Sequence, residues 1–287
     1  MSPRASRSPK ILVVDDDRAT RLLVRTVLAK AGFTVKEAGD GMRALAQIKA
    51  AAFDLMLLDV WMPKMDGLAV LDRMKRLKRP PPIVIVTTSD ETPATILGAI
   101  RQQAYQYVQK PVDPAELVEI VTEALKAGAE PPIEVVSARP DWVELVVPCT
   151  RSAADRLHGV MGRLEADLPE DVRESVSYAF HELLLNAVEW GGRLDATRKV
   201  RISYLRARRM LLYRIADPGP GFKMADLAHA AINHPGDPIE HVLIREKKGL
   251  RPGGFGLLMV KANVDELIYN EAQNEVVFIK YLDKPAP

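Results

Sequence analysis

The chain is poor in the features that mark specialised classes of protein. Its 287 residues include a single cysteine, Cys149, which excludes an internal disulfide and is typical of the reducing cytoplasm. Lys and Arg number 40 against 38 Asp and Glu, so the net charge of +2 lacks the basic excess of a nucleic-acid-binding chain. No apolar run approaches the roughly 20 residues of a membrane span. We therefore expect no direct contact with nucleic acid or membrane.

What remains is an ordinary globular composition, 47% hydrophobic and 27% charged, in a chain long enough for two domains. The basic, serine-containing segment 1–9 is expected to be a disordered tail. Residues 128–140, GAEPPIEVVSARP, carry the sustained loop signal that predicts a linker. The expected domains are therefore residues 10–127 and 141–287.

The first domain alternates short apolar runs with segments of helical periodicity, in five strand–helix units. Sequential units of this kind require right-handed crossovers, which give a parallel sheet covered by helices on both faces. The pattern predicts an α/β domain with a doubly wound, five-stranded parallel sheet.

Acidic residues follow two of the predicted strands directly. Asp59 ends the apolar run 55–58, and Asp15 and Asp16 end the run 11–14. If these strands are parallel neighbours, the three carboxylates converge at the carboxyl edge of the sheet, where ligands collect in such folds. Three carboxylates so close together repel each other and need a positive counter-charge. Because their ligand atoms are all oxygens, a hard ion such as Mg²⁺ suits the site. An alternative interpretation is that such acids are helix N-caps.

Two further strand ends add a hydroxyl and a cation. The run 82–88 ends in the hydroxyls of Thr87 and Thr88, and Lys110 precedes Pro111 after the run that contains Tyr107. Alone, a lysine before proline is usually a solvated turn. The ordered set over about residues 9–127 closely resembles the receiver domain of response regulators, which has a flavodoxin-like fold.

That resemblance implies a phosphorylation site on Asp59. By the same resemblance, Mg²⁺ would be held by Asp16, Asp59 and the backbone carbonyl of Trp61, with Asp15 acting through water. Lys110 would pair with the phosphoryl oxygens. Thr87 would move its hydroxyl onto them and draw Tyr107 inward as the readout; otherwise Tyr107 is a half-buried aromatic of the last strand.

The second domain carries another group of motifs. Glu182 and Asn186, in FHELLLNAVEWGG, are four residues apart on a predicted helix over 171–190 and so share one face. Taken alone, this pair is equally well explained as satisfying neighbouring loops. A strand over 209–217 then ends at Asp217 and continues into PGPGF, and glycines precede an apolar helix in LRPGGFGLLMVK. Such a helix N-terminus offers N–H groups to phosphates.

These three motifs, in this order over about 140–283, resemble the Bergerat ATP-binding fold of gyrases, Hsp90 chaperones, histidine kinases and MutL, an α+β sandwich of the histidine-kinase-like ATPase type. The resemblance implies that Asn186 binds the Mg²⁺ of Mg²⁺-ATP and that Asp217 accepts the adenine amino hydrogen. The adenine pocket would be shaped by Gly219 and Gly221. The phosphates would be faced by Gly254 and Gly256. Residues 222–250 would be the lid.

Within that fold, the short domain most resembles the anti-sigma-factor serine kinases that act by partner switching. No phosphoacceptor-histidine helix precedes it, which disfavours an ordinary histidine kinase. In the serine kinases the glutamate at position 182 is thought to act as general base for a serine hydroxyl. Trp190 departs from the pattern, which usually has histidine before the glycine equivalent to Gly191.

The sequence thus predicts a cytoplasmic response regulator in which phosphorylation of Asp59 by a sensor histidine kinase controls an ATP-binding output domain. The expected output is serine kinase activity towards a sigma factor or an anti-anti-sigma protein. Two alternatives stay open: an ATP-dependent sequestering domain without catalysis, and a histidine-kinase-like module acting on a separate protein. The sequence also leaves open whether the chain forms a homodimer.

Overall fold

The computed structural model describes residues 7–77, 80–90, 92–128, 131–221 and 255–283. The chain divides into two compact units, Met1–Glu130 and Pro131–Pro287. Each unit has its own sheet, and the two sheets differ in topology.

The first unit alternates strands and helices throughout. Their order is β1 (Lys10–Val14), α1 (Arg18–Lys30), β2 (Thr34–Ala38), α2 (Gly41–Ala50), β3 (Leu55–Asp59), α3 (Gly67–Met74), β4 (Ile83–Thr88), α4 (Pro93–Arg101), β5 (Gln106–Gln109) and α5 (Pro114–Ala127). The strands lie in the order β2-β1-β3-β4-β5, and every neighbouring pair is parallel. The predicted five-stranded α/β fold is confirmed.

Burial explains why these runs form the central strands. All five residues of β3 are buried, as are four of the five in β1, because strands covered on both faces have no solvent side. The helices begin at side-chain caps, among them Asp17 before α1 and Asp66 before α3. The N-cap interpretation of the acids therefore applies to these residues, whereas Asp59 belongs to the strand.

The second unit is built on an antiparallel sheet with helices. In chain order its elements are β6 (Glu134–Ala138), β7 (Trp142–Pro148), α6 (Arg151–Leu164), α7 (Glu170–Asn186), a π-helical segment (Ala187–Gly191), β8 (Lys199–Ala207), β9 (Met210–Ala216), α8 (Gly256–Asn263), β10 (Glu266–Tyr269) and β11 (Glu275–Tyr281). The strand order is β10-β11-β9-β8-β7-β6. The predicted α+β sandwich is confirmed.

An aromatic core joins this sheet to α7. Tyr213 of β9 lies 4.8 Å, centroid to centroid, from Phe278 of β11 and 4.8 Å from Phe180 of α7. Its hydroxyl donates to the buried carboxyl of Glu165, at the end of α6. Burial raises the pKa of Glu165 to about 7, although the bond from Tyr213 and the charge of Arg206 oppose that rise.

Two local features differ from the sequence-based expectation. Residues 134–138 fall within the predicted linker but form β6, which pairs with β7 through a bulge between Val135 and Ser137. The helix predicted to reach residue 190 ends at Asn186 and continues as the π-helical segment. In the part of the chain that the structure describes, no helix is long and apolar enough to cross a membrane.

Candidate functional site

The acidic site of the first unit lies where β1 and β3 end side by side. Val14 pairs in parallel register with Leu58, so the residues that follow, Asp15 and Asp59, come together. Asp15, Asp16 and Asp59 each offer a carboxylate oxygen, and these oxygens lie within 4.8 Å of one another. Asp15 and Asp59 are buried, whereas Asp16 is exposed. The predicted convergence of the three acids is observed.

Lys110 supplies the cation that this arrangement needs. Its Nζ lies 2.6 Å from Oδ2 of Asp15 and 2.9 Å from Oδ2 of Asp59. Burial lowers the pKa of Lys110, but the bonds to both carboxylates outweigh burial and raise it. Burial raises the pKa of Asp59, and Lys110 opposes this rise. The charge of the lysine therefore offsets the repulsion between the two acids.

The donor set fits a hard divalent cation. Three carboxylates at this spacing match the oxygen ligands of Mg²⁺, and the exposure of Asp16 leaves one ligand open to solvent. The Trp61 N–H lies 3.4 Å from Oδ1 of Asp59, so the loop that bears the predicted carbonyl ligand adjoins the site. The following turn is equally close, because a Cβ on Gly67 would be 2.2 Å from the carbonyl oxygen of Asp59.

Thr87 and Tyr107 lie on the next two strands. Thr87 is paired with Asp59 across β3 and β4, and its side chain is buried. Tyr107 is buried rather than half-buried, and its hydroxyl donates to the backbone carbonyl of Asp90. The tyrosine therefore already occupies an inward position.

The sequence analysis did not identify Asp90, which connects several of these parts. Its carboxylate accepts hydrogen bonds from the N–H of Thr92 at 2.9 Å and the hydroxyl of Thr95 at 2.7 Å, at the start of α4. These bonds lower the pKa of Asp90, and a side-chain hydrogen bond from Trp61 contributes in the same direction. A loop residue without a motif around it gives no sequence signal for such a role.

In the second unit, Glu182 and Asn186 lie one turn apart on α7, as predicted. A Cβ on Gly256, the first residue of α8, would be 2.3 Å from Oε2 of Glu182. The Glu182 carboxylate therefore lies against the N-terminal end of α8. Neither Glu182 nor Asn186 is fully buried.

Asp217 lies in a close-packed turn after β9. Its Oδ1 accepts the Gly219 N–H at 2.7 Å, and burial raises the pKa of the carboxyl against this bond. A Cβ on Gly191 would be 2.2 Å from the Asp217 carboxyl, so only glycine allows this approach. Gly221 has a φ of +80° and packs against Ala272, between β10 and β11.

Two predicted parts of the ATP site lie outside the described residues, namely Gly254 and the expected lid over 222–250.

Among the described histidines, His158 and His181 stack between α6 and α7 with ring centroids 4.4 Å apart. Trp190 is 59% exposed.

A parallel sheet with three acids and a lysine at its carboxyl edge, followed by an ATPase-type sandwich, defines a signalling protein with a receiver and an ATPase-like output. The model of the response regulator receiver domain matches residues 11–122, and the model of the histidine kinase-like ATPase domain matches residues 150–280. The chain belongs to the response regulators, with these two domains fused in one polypeptide.

Individual proteins resemble the chain over different extents. The DNA-binding response regulator MtrA of Mycobacterium leprae is 33% identical over 200 residues, which cover 69% of this chain and 87% of that protein. The transcriptional regulatory protein ZraR of Salmonella typhimurium is 38% identical over 128 residues, covering 45% of this chain and 29% of ZraR. A CheY-like receiver structure from Methanospirillum hungatei is 31% identical, covers 42% of this chain and 95% of its own, and has a TM-score of 0.40.

Proposed function

We propose that Asp59 accepts a phosphoryl group from an upstream sensor histidine kinase. An oxygen of the Asp59 carboxylate attacks phosphorus, and the bond from phosphorus to the donor imidazole nitrogen breaks. Asp16, Asp59 and the carbonyl of Trp61 would hold Mg²⁺, with Asp15 bound through water, and the ion would offset charge on the phosphoryl oxygens. Lys110, already 2.9 Å from Asp59, is placed to move onto these oxygens.

The readout in this proposal runs through Thr87 and Tyr107. The Thr87 hydroxyl turns towards the phosphoryl group, which is possible because Thr87 is the register partner of Asp59. Tyr107 then keeps its inward position, next to the space that the Thr87 side chain leaves when it turns. The phosphoryl group would thereby favour one arrangement of β4, β5 and α4 over another.

For the second unit we propose ATP binding at α7, the Asp217 turn and α8. Asp217 has one carboxylate oxygen on Gly219, and the other is assigned to the adenine amino group. Gly219 and Gly221 shape that pocket, and Asn186 would bind Mg²⁺ with the nucleotide. Gly256, with Gly254 outside the described residues, is assigned to the phosphates, because a helix N-terminus favours anions.

The proposed output is protein-serine kinase activity that acts by partner switching. The observation that carries it is the position of Glu182, whose carboxylate lies against Gly256 at the end of α8 that is assigned to phosphate. Glu182 would take the proton of a serine hydroxyl as the serine oxygen attacks the γ-phosphorus, and the bond to the ADP oxygen would break. The proposed target is a sigma factor or an anti-anti-sigma protein.

The test is transfer from radiolabelled Mg²⁺-ATP to candidate partners, followed by treatment of the product with acid. Acid-stable phosphoserine is expected, and Glu182→Gln should abolish it. Glu174→Gln is the matched control, because Glu174 is an exposed glutamate of the same helix. An acid-labile product would favour a histidine-kinase-like module instead, and full activity in Glu182→Gln would remove Glu182 from the mechanism.

A second candidate function is ATP-dependent sequestration without catalysis. It is favoured by Trp190, an exposed indole where the serine kinases usually carry histidine. In that case Glu182→Gln would retain its partner, and no phosphate would be transferred. A pull-down of partners with and without a phosphoryl mimic such as beryllofluoride on Asp59 separates control of binding from control of catalysis.

A further inference from the structure

Of the three acids in the first site, Asp16 is exposed, and its carboxylate needs something other than packing to hold it in place. Asp15 is held by Lys110 and by the N–H of Asp17, which lies 2.9 Å from its Oδ1. Asp16 is exposed, so packing does not fix its orientation. Its carboxylate must nevertheless point towards Asp15 and Asp59, against the repulsion between like charges.

Arg21 holds the backbone that carries these acids. Its Nη1 donates to the carbonyl of Asp15 at 2.7 Å and to the carbonyl of Asp16 at 3.0 Å. Arg21 lies in the first turns of α1, and helical side chains lean towards the N-terminus, so its guanidinium reaches back over the preceding loop.

The surroundings of Arg21 restrict the guanidinium to this position. Its side chain is only 15% exposed, and Nε lies 3.8 Å from Oε2 of Glu37 on β2. The guanidinium also faces Gly39, just after β2, where a Cβ would be 3.4 Å from Nη1. The group is therefore confined between β2 and the acidic loop.

We propose that Arg21 is a positioning residue for the divalent cation site. By binding two successive carbonyls it fixes the peptide planes on both sides of Asp16, and its charge offsets part of the repulsion among the three carboxylates. The cation then meets a preformed set of ligands. Outer residues that orient metal ligands typically change affinity about 10- to 100-fold when they are replaced. This inference rests on the proposed Mg²⁺ site.

Arg25 provides a matched control on the same helix. Its Nη1 lies 3.0 Å from Oε1 of Glu37, so it shares the acidic partner of Arg21. It is more exposed, at 49% of its side chain, and lies one turn further from the loop. Loss of Arg25 removes the same charge without touching the two carbonyls.

The experiment measures Mn²⁺ binding to the full-length chain without nucleotide, from the electron paramagnetic resonance of free Mn²⁺. Arg21→Gln should raise the dissociation constant about tenfold, Arg21→Lys should give a smaller rise, and Arg25→Gln should stay within about twofold. In parallel, acetyl phosphate should label Arg21→Gln more slowly at low Mg²⁺ and normally at saturating Mg²⁺. Circular dichroism identifies a variant that does not fold, and Arg21→Lys then carries the comparison.

Four results would contradict parts of this scheme separately. Wild-type affinity in a folded Arg21→Gln protein overturns the role of Arg21. An equal loss in Arg25→Gln means that charge alone matters and also overturns it. The proposed metal site itself is overturned if the wild-type chain does not bind Mn²⁺. It is also overturned if Mn²⁺ binding survives in the double variant Asp59→Asn, Asp16→Asn.

Discussion

The two sites of this chain solve opposite electrostatic problems. The receiver site gathers three carboxylates, for which a divalent cation is proposed, and Lys110 offsets the repulsion between two of them, Asp15 and Asp59. The second site is proposed to bind the phosphates of ATP through glycine backbone and the helix end at Gly256, and the carboxylates of Glu182 and Asp217 lie beside its glycines. The first site is therefore held by ion pairs, whereas the second depends on close approach of the backbone.

The largest effect is expected at the centre of the first site. Asp59→Asn removes the carboxylate that is proposed to accept the phosphoryl group and should abolish labelling by acetyl phosphate, measured on the intact protein by mass spectrometry. Asp66→Asn is the control, since asparagine can still cap α3 as Asp66 does. Unchanged labelling in Asp59→Asn would place the acceptor elsewhere.

ATP affinity of the second unit should fall when the carboxylate of Asp217 is replaced by an amide. Asp217→Asn can keep the bond to Gly219 with its amide oxygen, but it then turns an N–H₂ group towards the position proposed for the adenine amino group. ATP affinity should fall about 10- to 100-fold, because an unpaired buried donor costs about 1–3 kcal/mol. Fluorescent nucleotide titration measures this, with exposed Asp195→Asn as the control. Equal affinity would remove Asp217 from the adenine pocket.

A third prediction contrasts two buried acids. Asp59 has a lysine at 2.9 Å, whereas Glu165 has the hydroxyl of Tyr213 as its hydrogen-bond partner and a pKa of about 7. Because the folded pKa of Glu165 exceeds its unfolded value of about 4.3, the folded state binds the extra proton between these values. Stability from this group is present below about pH 4.3 and is lost as pH rises towards 7.

Glu165→Gln should therefore flatten the pH dependence. Relative to this variant, the wild type should lose on the order of 3 kcal/mol of unfolding free energy between about pH 4.5 and about pH 7.5. Urea unfolding at the two pH values measures the difference, and Asp167→Asn, which alters the neighbouring pair with Arg206, is the comparison. Parallel pH profiles for wild type and Glu165→Gln would contradict the buried acid's contribution.

The smallest expected effect is a change in stability at a glycine of the second unit whose surroundings leave room for a side chain. Gly159, inside α6, has open space where a Cβ would lie, so Gly159→Ala should stabilise the unit by about 0.5–1 kcal/mol. Gly191→Ala is the contrasting case, since its Cβ would collide with Asp217. Thermal unfolding of both variants tests this, and a similar gain at Gly191 would show that the turn has room.

The receiver could be predicted from sequence because its site follows the strand pattern. Asp59 and Lys110 come at strand ends, and parallel register brings strand ends together without any further information. Arg21 and Asp90 could not be found in this way, because their roles depend on which loop lies opposite them. The guanidinium of Arg21 binds carbonyls, which carry no sequence signature.

The second unit was harder for the same physical reason. The sequence predicts the strand near 142–148, which forms β7 with alternating burial, whereas β6 lies among prolines and pairs through a bulge. Periodicity predicted one helix through residue 190, whereas the backbone widens into π-helical turns after Asn186. Hydrogen-bond spacing within a helix leaves the apolar pattern almost unchanged, so sequence reasoning could not detect it.

The bond from Tyr107 to a main-chain oxygen has an evolutionary consequence. Every amino acid carries that carbonyl, so drift at position 90 can replace the side chain of Asp90 and still leave the tyrosine its acceptor. A substitution at position 90 therefore changes the tryptophan and threonine contacts of this loop and leaves the acceptor of the tyrosine hydroxyl in place. The position of the ring thus depends on the path of the backbone rather than on the side chain at position 90.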